Sequence, residues 1–597
     1  MESMHHNGVM VPPNYEGRGL KVRIRGKEVE LTPEQEEMAV AWAKKIGTPY
    51  VEDPVFAENF HRDFSKKLGM EINPGDVDYS EIKERLDEEK QRKKNLPREE
   101  KRRRREERKA RRERNKERYG YVTINGIQME IGNYVVEPSS IFMGRGNHPM
   151  RGRWKEGPRQ EDIELNLSPD ATRPEGDWKD IIWDPEAIWI ARWRDKLSDK
   201  MKYVWPSDSS ILRQRSDIEK FNKAMELRDN LDRVQEHIDE NLDHENLIRR
   251  KTATVCYLID KLKFRVGDEK DDDEADTVGA STLREEHLTF NGGGKVVFDF
   301  LGKDSVRHRL EAKLPPKVYR NLKEFAQNSK STLFDGVNSK GVSEFLDEIM
   351  EGITAKVFRT CYSTEAVEKK LKELEVDEDD SDHVKKHVAT LANLEAAKIC
   401  NHKRSIPKSW ERVLRRKEER LEAKKKKAKQ NIKKYSDKIE KAKNRFRERL
   451  AKYEKKVADD KIKLSEYEEG LRKRKQEGRS TKGIKKRIAS KKRVINNTIE
   501  RIRKLKRKHR DRIQRYKERR EYRIRKDQEY IEKYTLQIEA RRKTRDYNLN
   551  TSLKSYVDPR IYYDWGKKHN YDWKDYYSKS LCRKFSWVEE GLPEQQI

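Results

Sequence analysis

Cysteines are few in this sequence, and no long apolar stretch occurs. The four cysteines, Cys256, Cys361, Cys400 and Cys582, are scattered, with no CxxC pair and no spacing typical of a zinc site. No window approaches 18 consecutive apolar residues, and the start MESMHHNG has no apolar signal region. No GxxxxGK[ST] loop for ATP phosphates is present either. We therefore expect a reducing compartment, no bilayer-spanning segment and no structural metal.

What is abundant is positive charge. Only 33% of the residues are apolar whereas 42% are charged, and the formal net charge is +30. Residues 405–550 contain 56 Lys and Arg against 23 Asp and Glu, so the whole excess lies in this segment. A second basic run, residues 90–118, has 17 against 6. Such a surplus is typical of proteins that bind nucleic acid or anionic membranes.

The most basic segment also has a heptad pattern. Apolar residues recur at seven-residue spacing at Leu414, Leu421, Ala428, Tyr435 and Ala442, and again at Ile488, Ile495 and Ile502. Residues 477–483, EGRSTKG, interrupt the pattern. We predict an antiparallel coiled-coil hairpin over 408–545, with arms of roughly 100 Å at 1.5 Å per residue. A solvated structural arm is the more common interpretation, and the one-sided charge keeps a DNA-facing arm open.

The rest of the chain mixes short strands with helices. Thr32 followed by Pro33 predicts a helix over 33–46. Residues 79–118 indicate two charged helices that break near Leu96-Pro97, and Asn125-Gly126 is typical of a hairpin turn. A glycine-rich turn at 291–294 lies between predicted strands, and helices dominate 316–400.

Seven segments resemble, in order, the core blocks of eukaryotic-type type IB DNA topoisomerases. They are GRGNHP (144–149), MKY (201–203), DTVGASTLREEHL (276–288), VFDFLGKDS (297–305), GITAKVFRT (352–360), ICNHKR (399–404) and KSYVDPRI (554–561). The similarity runs from about residue 13 to the C-terminal region. It implies ATP-independent relaxation of positive and negative supercoils through transient cleavage of one strand, a 3′-phosphotyrosyl intermediate, strand rotation and religation.

The same resemblance implies five catalytic residues. Tyr556 is the nucleophile, and Arg284 and Arg359 neutralise the non-bridging phosphate oxygens. His402 is a third donor to the phosphate, and Lys303 is the general acid for the leaving 5′ oxygen. We expect Lys303 to be partly buried at a strand end, with a lowered pKa. Taken singly, each residue has a structural interpretation, such as a surface arginine or a packed tyrosine before a turn.

The resemblance also implies DNA-binding residues, namely Arg145, His148, Lys155, Lys202, Tyr203 and Asp304. The GRGNHP segment could equally be a glycine-rich turn without a ligand. We expect a double-stranded DNA partner bound mostly through phosphates, with little sequence specificity. No ATP, no obligatory metal and no other cofactor is expected, and the chain is expected to be a monomer.

The predicted fold is α+β and multidomain. The resemblance implies a bilobed DNA clamp whose mostly helical catalytic lobe is similar to tyrosine recombinases, with a long coiled-coil linker. The predicted parts are a short tail (1–12), two cap subdomains (13–99 and 100–210), a catalytic core (211–407), the linker (408–546) and a C-terminal domain carrying the tyrosine (547–597).

Three features depart from the family pattern. Only about a dozen residues precede the core, without a basic nuclear-localisation cluster, so we expect an archaeal or other prokaryotic source. The expected location is then the nucleoid in the cytoplasm, or the nucleus in a eukaryote. The linker is longer than usual, and Ser555 stands where the family usually has Asn, which implies weak camptothecin sensitivity.

Two other functions fit parts of the sequence. A tyrosine recombinase uses a similar Arg, Lys, His and Tyr set, but the cap-like blocks do not belong to it. A non-enzymatic basic coiled-coil DNA-binding protein explains residues 408–545 and nothing else. Relaxation of a plasmid without a target site separates the first alternative from a topoisomerase, and a Tyr556→Phe variant tests the second.

Overall fold

The computed structural model describes residues 1–268 and 276–592, apart from the side chain of Asp304. It divides into two compact units. The first comprises 1–378, 391–404 and 547–597, and the second comprises 379–390 and 405–546. The predicted division of the first unit into cap and catalytic subdomains stays a prediction.

The first 119 residues alternate short strands with helices. They form β1 (Met4–His6), β2 (Lys21–Ile24), β3 (Lys27–Glu30), α1 (Pro33–Ala43), α2 (Pro54–Leu68), β4 (Val77–Asp78), α3 (Ser80–Asn95) and α4 (Arg98–Tyr119). Thr32 and Gln35 form a reciprocal capping box at the start of α1, as the Thr-Pro signal predicted. The basic helices α3 and α4 are separated at Leu96-Pro97, which confirms the predicted break.

Residues 1–12 are not the tail that was predicted. Strand β1 pairs with Tyr121–Ile124, with Met4 opposite Ile124, and the Met4 side chain is fully buried. The polar composition MESMHHNG concealed this strand, because its inward positions are one methionine and one histidine, His6. His6 bonds the carbonyl of Asn166, and burial lowers the pKa of His6 to about 4.

Residues 120–210 are built from strands. They form β5 (Tyr121–Ile124), β6 (Ile127–Glu130), β7 (Ser140–Ile141), β8 (Trp154–Lys155), β9 (Ile163–Asn166), β10 (Asp180–Ile182), β11 (Ala191–Arg194) and β12 (Met201–Val204). One sheet has the order β1-β5-β6, and a second has the order β10-β9-β11-β12. The β5–β6 turn is Asn125-Gly126, both at positive φ (47° and 78°), as a two-residue hairpin requires.

The next region is mainly helical around one three-stranded sheet. It forms α5 (Ile211–Asp229), α6 (Leu231–Asn241), α7 (Leu247–Leu262), β13 (Leu288–Asn291), β14 (Lys295–Gly302), β15 (Val306–Lys313), α8 (Pro316–Asn328), α9 (Ser339–Asp347), α10 (Ala355–Glu373) and α11 (Asp382–Ile399). The strands pair antiparallel in the order β13-β14-β15, and the predicted glycine-rich turn joins the first two. Phe298, Phe334 and Phe358 are fully buried in the core of this region.

The second unit contains two long helices, α12 (Trp410–Gln476) and α13 (Lys482–Lys543), joined by the predicted glycine-containing turn. They are antiparallel, since Lys417 bonds Gln537 near one end and Lys491 bonds Asp460 near the other. Heptad residues that are buried between them include Leu421 and Ile495. The structure thus has the predicted helical hairpin, in which most basic side chains remain exposed to solvent.

One acidic side chain is buried in this helix pair. Asp527 is 3% exposed, accepts a hydrogen bond from Asn431 (2.9 Å) and pairs with Lys424 (3.0 Å) and Arg523 (3.4 Å). Burial alone would raise the pKa of Asp527, but the bonds from Asn431 and Lys424 outweigh it and lower that pKa. A buried carboxylate with donors on the opposite helix stabilises one register of the two helices over the others.

The C-terminal residues form four short helices around an aromatic cluster. They are α14 (Leu549–Ser555), α15 (Pro559–Lys568), α16 (Lys579–Lys584) and α17 (Trp587–Glu590). Tyr562 and Tyr577 pack with a centroid separation of 5.7 Å, and both are buried. In the described residues, every helix is too short or too polar to cross a bilayer.

We expect Asp527→Ala to loosen the helix pair, because Lys424 and Asn431 lose their buried acceptor. A free-energy loss of about 1–3 kcal/mol is typical for such a change. Amide hydrogen exchange of the full chain at neutral pH should therefore become roughly 5- to 150-fold faster around Asn431 and Asp527. Asp511→Ala, at an exposed position of α13, is the matched control.

The pH dependence of the same helix pair has a defined sign. The folded chain lowers the pKa of Asp527. The Asp527 carboxylate therefore contributes fully to the stability of the helix pair above its unfolded pKa of about 3.9, and this contribution is lost as pH falls through its folded pKa. Equal exchange rates in Asp527→Ala and the unchanged chain would contradict this role.

Candidate active site

Tyr556 lies between two short helices of the C-terminal region. It follows the last residue of α14, where its N–H donates to the carbonyl of Ser552 (2.9 Å), and Asp558 caps the next helix ahead of Pro559. Thr364 of α10 donates to the carbonyl of Tyr556 (3.3 Å). The Tyr556 residue is 5% exposed. Its backbone is thus held on both sides, with the phenol turned towards the core of the first unit.

The phenol oxygen of Tyr556 is bound by an arginine that the sequence analysis did not single out. Arg265 Nη1 donates to Tyr556 Oη over 3.2 Å. Arg265 follows α7 by three residues, in the apolar context Phe264-Arg265-Val266. Burial and the neighbouring Arg359 lower the pKa of Arg265, although its usual value is high enough that it stays charged.

Arg359 approaches the ring of Tyr556 from helix α10. The residue is 2% exposed, and its guanidinium carbon lies 5.0 Å from the centre of the tyrosine ring. Its Nη2 donates to the carbonyl of Cys400 (2.6 Å). Its Nε is buried without a hydrogen-bond partner among the described residues. A buried guanidinium N–H without an acceptor is costly, so this position favours an anion.

His402 completes the group around the tyrosine. Its ring centre is 5.1 Å from that of Tyr556, and its Nδ1 is 2.8 Å from Ser552 Oγ. Burial, and then the charges of Arg359 and Arg265, lower the pKa of His402 to about 3. The ring is therefore neutral at physiological pH. Its Nε2 is buried with no partner in the described part of the chain.

Arg265 and His402 border a small cavity of about 110 Å³. Its lining comprises Phe264, Arg265, Val278, Phe300, Gly302, Lys303, Val306, His308, Cys400, Asn401, His402, Lys403, Asn548 and Thr551. None of these lining residues is acidic. His308 stacks on Phe300, and burial together with Arg359, Lys403 and Arg265 lowers the pKa of His308 to about 4. The cavity has the size and charge to hold part of a phosphodiester.

Lys303 borders this cavity from the end of strand β14. It begins a short turn after Gly302, as the FLGKDS segment predicted. Its side chain is exposed, however, so the expectation of a partly buried lysine is wrong. The hairpin ends at the molecular surface here, where Leu301 is also exposed.

Arg284 occupies a different place from the one predicted. Its guanidinium forms a two-bond pair with Asp276 (2.7 and 3.1 Å) and a third bond to Glu286 (2.8 Å). The hydrogen bonds that Arg284 donates to Asp276 and Glu286 raise the pKa of Arg284. Its charge is thus compensated by carboxylates, and the structure brings Arg265, not Arg284, to the tyrosine.

The GRGNHP segment packs against the Lys303 turn. Gly144 and Gly146 have positive φ (62° and 56°), and a Cβ on Gly146 would lie 2.4 Å from Ser305 Oγ. Ser305 donates to the carbonyl of Arg145 (3.4 Å), which leaves the Arg145 side chain exposed beside the turn. His148 is packed on Phe142 and accepts from the N–H of Met150. This geometry is compatible with a glycine-rich turn that has no ligand and also with a DNA-binding role.

The remaining predicted DNA contacts have mixed surroundings. Lys155 is buried between Glu137 and Asp195, each at 2.6 Å. Burial opposes its charge, but these two carboxylates outweigh it and raise the pKa of Lys155. Lys202 and Tyr203, on β12, line a separate cleft of about 640 Å³. The prediction for Asp304 lies outside the described side chains.

Of the five predicted catalytic residues, the structure thus gathers Tyr556, Arg359 and His402 in contact, with Lys303 on the adjoining cavity. Arg265 is the residue that sequence reasoning missed. The sequence did contain one indication of its importance. A single arginine stands between Phe264 and Val266, shortly after a helix with many apolar residues, and a charged side chain is uncommon in such surroundings. The sequence alone did not show that this position meets a tyrosine 291 residues later.

Comparison with known proteins agrees with this arrangement. Residues 1–206 match the family model described as "Eukaryotic DNA topoisomerase I, DNA binding fragment", and residues 209–436 match "Eukaryotic DNA topoisomerase I, catalytic core". Residues 528–595 match "C-terminal topoisomerase domain". The chain belongs to the eukaryotic DNA topoisomerase I family.

Individual relatives cover nearly the whole chain. DNA topoisomerase 1 beta of Arabidopsis thaliana is 33% identical over 99% of this chain and 59% of its own length. DNA topoisomerase 1 of Candida albicans is 31% identical, with 99% and 79% covered, and that of Homo sapiens is 29% identical, with 99% and 71% covered. The chain thus spans about 59% of the length of the two Arabidopsis thaliana relatives. None of these relatives supports the expected archaeal or prokaryotic source.

The low pKa predicts that His402 stays neutral from about pH 5 to 8 in the folded chain. Nitrogen NMR of the full chain with labelled histidine rings should show that the His402 ring does not titrate in this range, and the signal lost in a His402→Gln variant assigns it among the other low-pKa rings, such as those of His6 and His308. Titration of that ring near pH 6 would contradict the proposed crowding of positive charge.

Proposed function

We propose that this protein is a type IB DNA topoisomerase. It relaxes positive and negative supercoils by cutting one strand of a duplex through a 3′-phosphotyrosyl bond, allowing rotation and rejoining the strand without ATP. The observation that carries the proposal is a buried phenol, Tyr556, whose oxygen accepts from Arg265 beside the unpartnered nitrogens of Arg359 and His402. Membership in the topoisomerase I family supports it.

The nucleophile requires help in losing its proton, since a free tyrosine has a pKa of about 10. Arg265 supplies this help by donating to the phenol oxygen, because a cationic donor stabilises the phenolate more than the phenol. The proton leaves to solvent water. Arg265 thus acts at the phenol oxygen, whereas Arg284 was expected to donate to the non-bridging phosphate oxygens.

A phosphate of the DNA strand then binds beside Tyr556, Arg359 and His402. The Tyr556 oxygen forms a bond to phosphorus while the bond from phosphorus to the 5′ oxygen breaks. Arg359 Nε and His402 Nε2 donate to the non-bridging oxygens, where negative charge grows in the transition state. For His402 this requires the tautomer in which Nδ1 accepts from Ser552 Oγ.

Lys303 is the proposed general acid, and it gives a proton to the departing 5′ oxygen. Its position on the cavity shared with Arg265 and His402 supports this role. Rejoining reverses both steps: the 5′ hydroxyl attacks phosphorus, its proton returns to Lys303, and Tyr556 leaves as phenolate. One phosphodiester is exchanged for another of similar energy, so no nucleotide hydrolysis is needed.

The DNA partner is bound through its phosphates. We propose that a bilobed clamp encloses the duplex, with Arg145, Lys202 and Tyr203 among its contacts. The basic helices α3 and α4 and the hairpin of α12 and α13 contribute electrostatic attraction that salt weakens. The working form is a monomer. The protein acts on the chromosome, and its relatives favour the nucleus over a nucleoid.

The function is tested by plasmid relaxation in EDTA without ATP, using a plasmid with no recombination site. The unchanged chain should relax both positive and negative supercoils and form a covalent adduct at a 3′ DNA end. Tyr556→Phe should lose both adduct and relaxation while keeping DNA affinity. An adduct at a 5′ end, or relaxation by Tyr556→Phe, would sink the proposal.

The assignment of the first arginine is tested separately. We expect Arg265→Ala to slow strand cleavage by about 10²- to 10³-fold, since it removes a donor from the reacting oxygen. Arg284→Ala, which only releases Asp276 and Glu286, should slow cleavage by less than about tenfold. Single-turnover cleavage of an oligonucleotide duplex measures both rates. A larger slowing by Arg284→Ala than by Arg265→Ala would assign the catalytic role to Arg284 instead.

A further inference from the structure

The two arginines at Tyr556 stand on elements that a buried polar cluster joins. Arg265 follows the C-terminal end of α7, and Arg359 lies on α10, three residues before Tyr362. Tyr362 donates its phenol hydrogen to the carboxylate of Asp260 in the last turn of α7, and Asp260 is 1% exposed. This hydrogen bond directly links the last turn of α7, which precedes Arg265, to α10, which carries Arg359.

The chain turns sharply between Asp260 and Arg265. Lys263 ends α7 in the left-handed conformation, with φ 60° and ψ 28°, which costs a residue with a side chain roughly 1–2 kcal/mol. Its ammonium folds back onto the helix, donates to the carbonyl of Asp260 and lies over the ring of Tyr362. The turn is thus held by the same cluster, and its direction decides where Arg265 points.

Tyr362 and Asp260 have further polar partners besides each other. Tyr362 also accepts from Gln235 of α6, and Lys261 pairs with the second carboxylate oxygen of Asp260 (3.1 Å). Burial raises the pKa of Tyr362 and lowers the pKa of Lys263 to about 8. Asp260 is buried, whereas Tyr362 and Lys263 are half-buried. An apolar set of similar volume would not require hydrogen-bond partners, so the polar contacts fix the geometry of the turn.

We propose that Tyr362, Asp260 and Lys263 form a positioning cluster that fixes the turn before Arg265 against α10 and so holds Arg265 at the distance required from Tyr556. The cluster does not touch the substrate and acts through Arg265. The inference rests on the proposed function. It predicts that removal of one hydroxyl group, some distance from the phosphate, slows strand cleavage without weakening DNA binding.

Tyr362→Phe is the primary variant, since it keeps the ring and removes only the donor to Asp260. Single-turnover cleavage of an oligonucleotide duplex should slow by about 10- to 100-fold, because small displacements of a reacting group have effects of this size. The affinity for the same duplex should change by less than about twofold. Tyr319→Phe is the matched control, because its ring packs on Phe290 (5.5 Å) in the same core and it belongs to α8, not to the cluster, so this variant should cleave at the normal rate.

A double-variant cycle separates positioning from general destabilisation. In an Arg265→Ala background, Tyr362→Phe should slow cleavage by less than about twofold, because the residue through which it acts is gone. An equal slowing in both backgrounds, or normal cleavage by Tyr362→Phe, would overturn the inference. Failure of the unchanged chain to form a covalent adduct would instead refute the proposed function.

A second variant covers the case in which Tyr362→Phe does not fold. Lys263→Asn keeps a residue that adopts the left-handed conformation readily and removes the ammonium from the cluster. It should also slow cleavage at least tenfold, with no slowing in the Arg265→Ala background. Normal cleavage by a folded Lys263→Asn chain would count against the cluster.

Discussion

The candidate active site depends on positive charge that is crowded around one phenol. Arg265 contacts the oxygen of Tyr556, and Arg359 lies against its ring. The described lining of the adjoining cavity is without acidic residues. Buried charges of one sign are unfavourable unless an opposite charge arrives, so the folded chain is prepared for an anion. Burial, and then the charges of Arg359 and Arg265, lower the pKa of His402 to about 3.

Maintaining such a site requires support from residues that never meet the substrate. The backbone of Tyr556 is held by Ser552 and Thr364, and Arg359 is anchored by the carbonyl of Cys400. These bonds to neutral groups position the donors without neutralising them. By contrast, Arg284 is fully engaged with carboxylates, as is Lys155. The chain therefore distinguishes cations that are paired with carboxylates from cations that are anchored by neutral groups, and the latter are the ones proposed to meet a phosphate.

The helix pair follows a different physical rule. Its residues meet through a repeating seam, and its charges are mostly exposed, where each ion pair contributes little and salt screens the rest. The buried Asp527 is an exception that favours one alignment of the helices. Long-range attraction of DNA needs only many solvated cations, whereas chemistry at a phosphate needs a few buried donors at fixed distances.

Local patterns in the sequence were sufficient for much of the fold. The capped start of α1, the Asn125-Gly126 turn and the two long helices with their connecting turn depend on short-range spacing, and the structure has all three. A strand at residues 4–6 was missed because its stabilisation comes from pairing with residue 124, far along the chain. The expected burial of Lys303 failed for a similar reason, since the end of a hairpin can face either core or solvent.

By itself, the sequence determined the basic charge, the helical hairpin and, through family resemblance, the tyrosine with most of its partners. Only the tertiary structure decided which arginine serves that tyrosine. Arg265 and Arg284 are similar in sequence terms, because each is a single arginine directly after an apolar residue, Phe264 or Leu283. Their roles differ because the turn at Lys263 directs one to Tyr556, while Asp276 and Glu286 capture the other. Contacts between residues hundreds of positions apart depend on packing, and no local spacing encodes them.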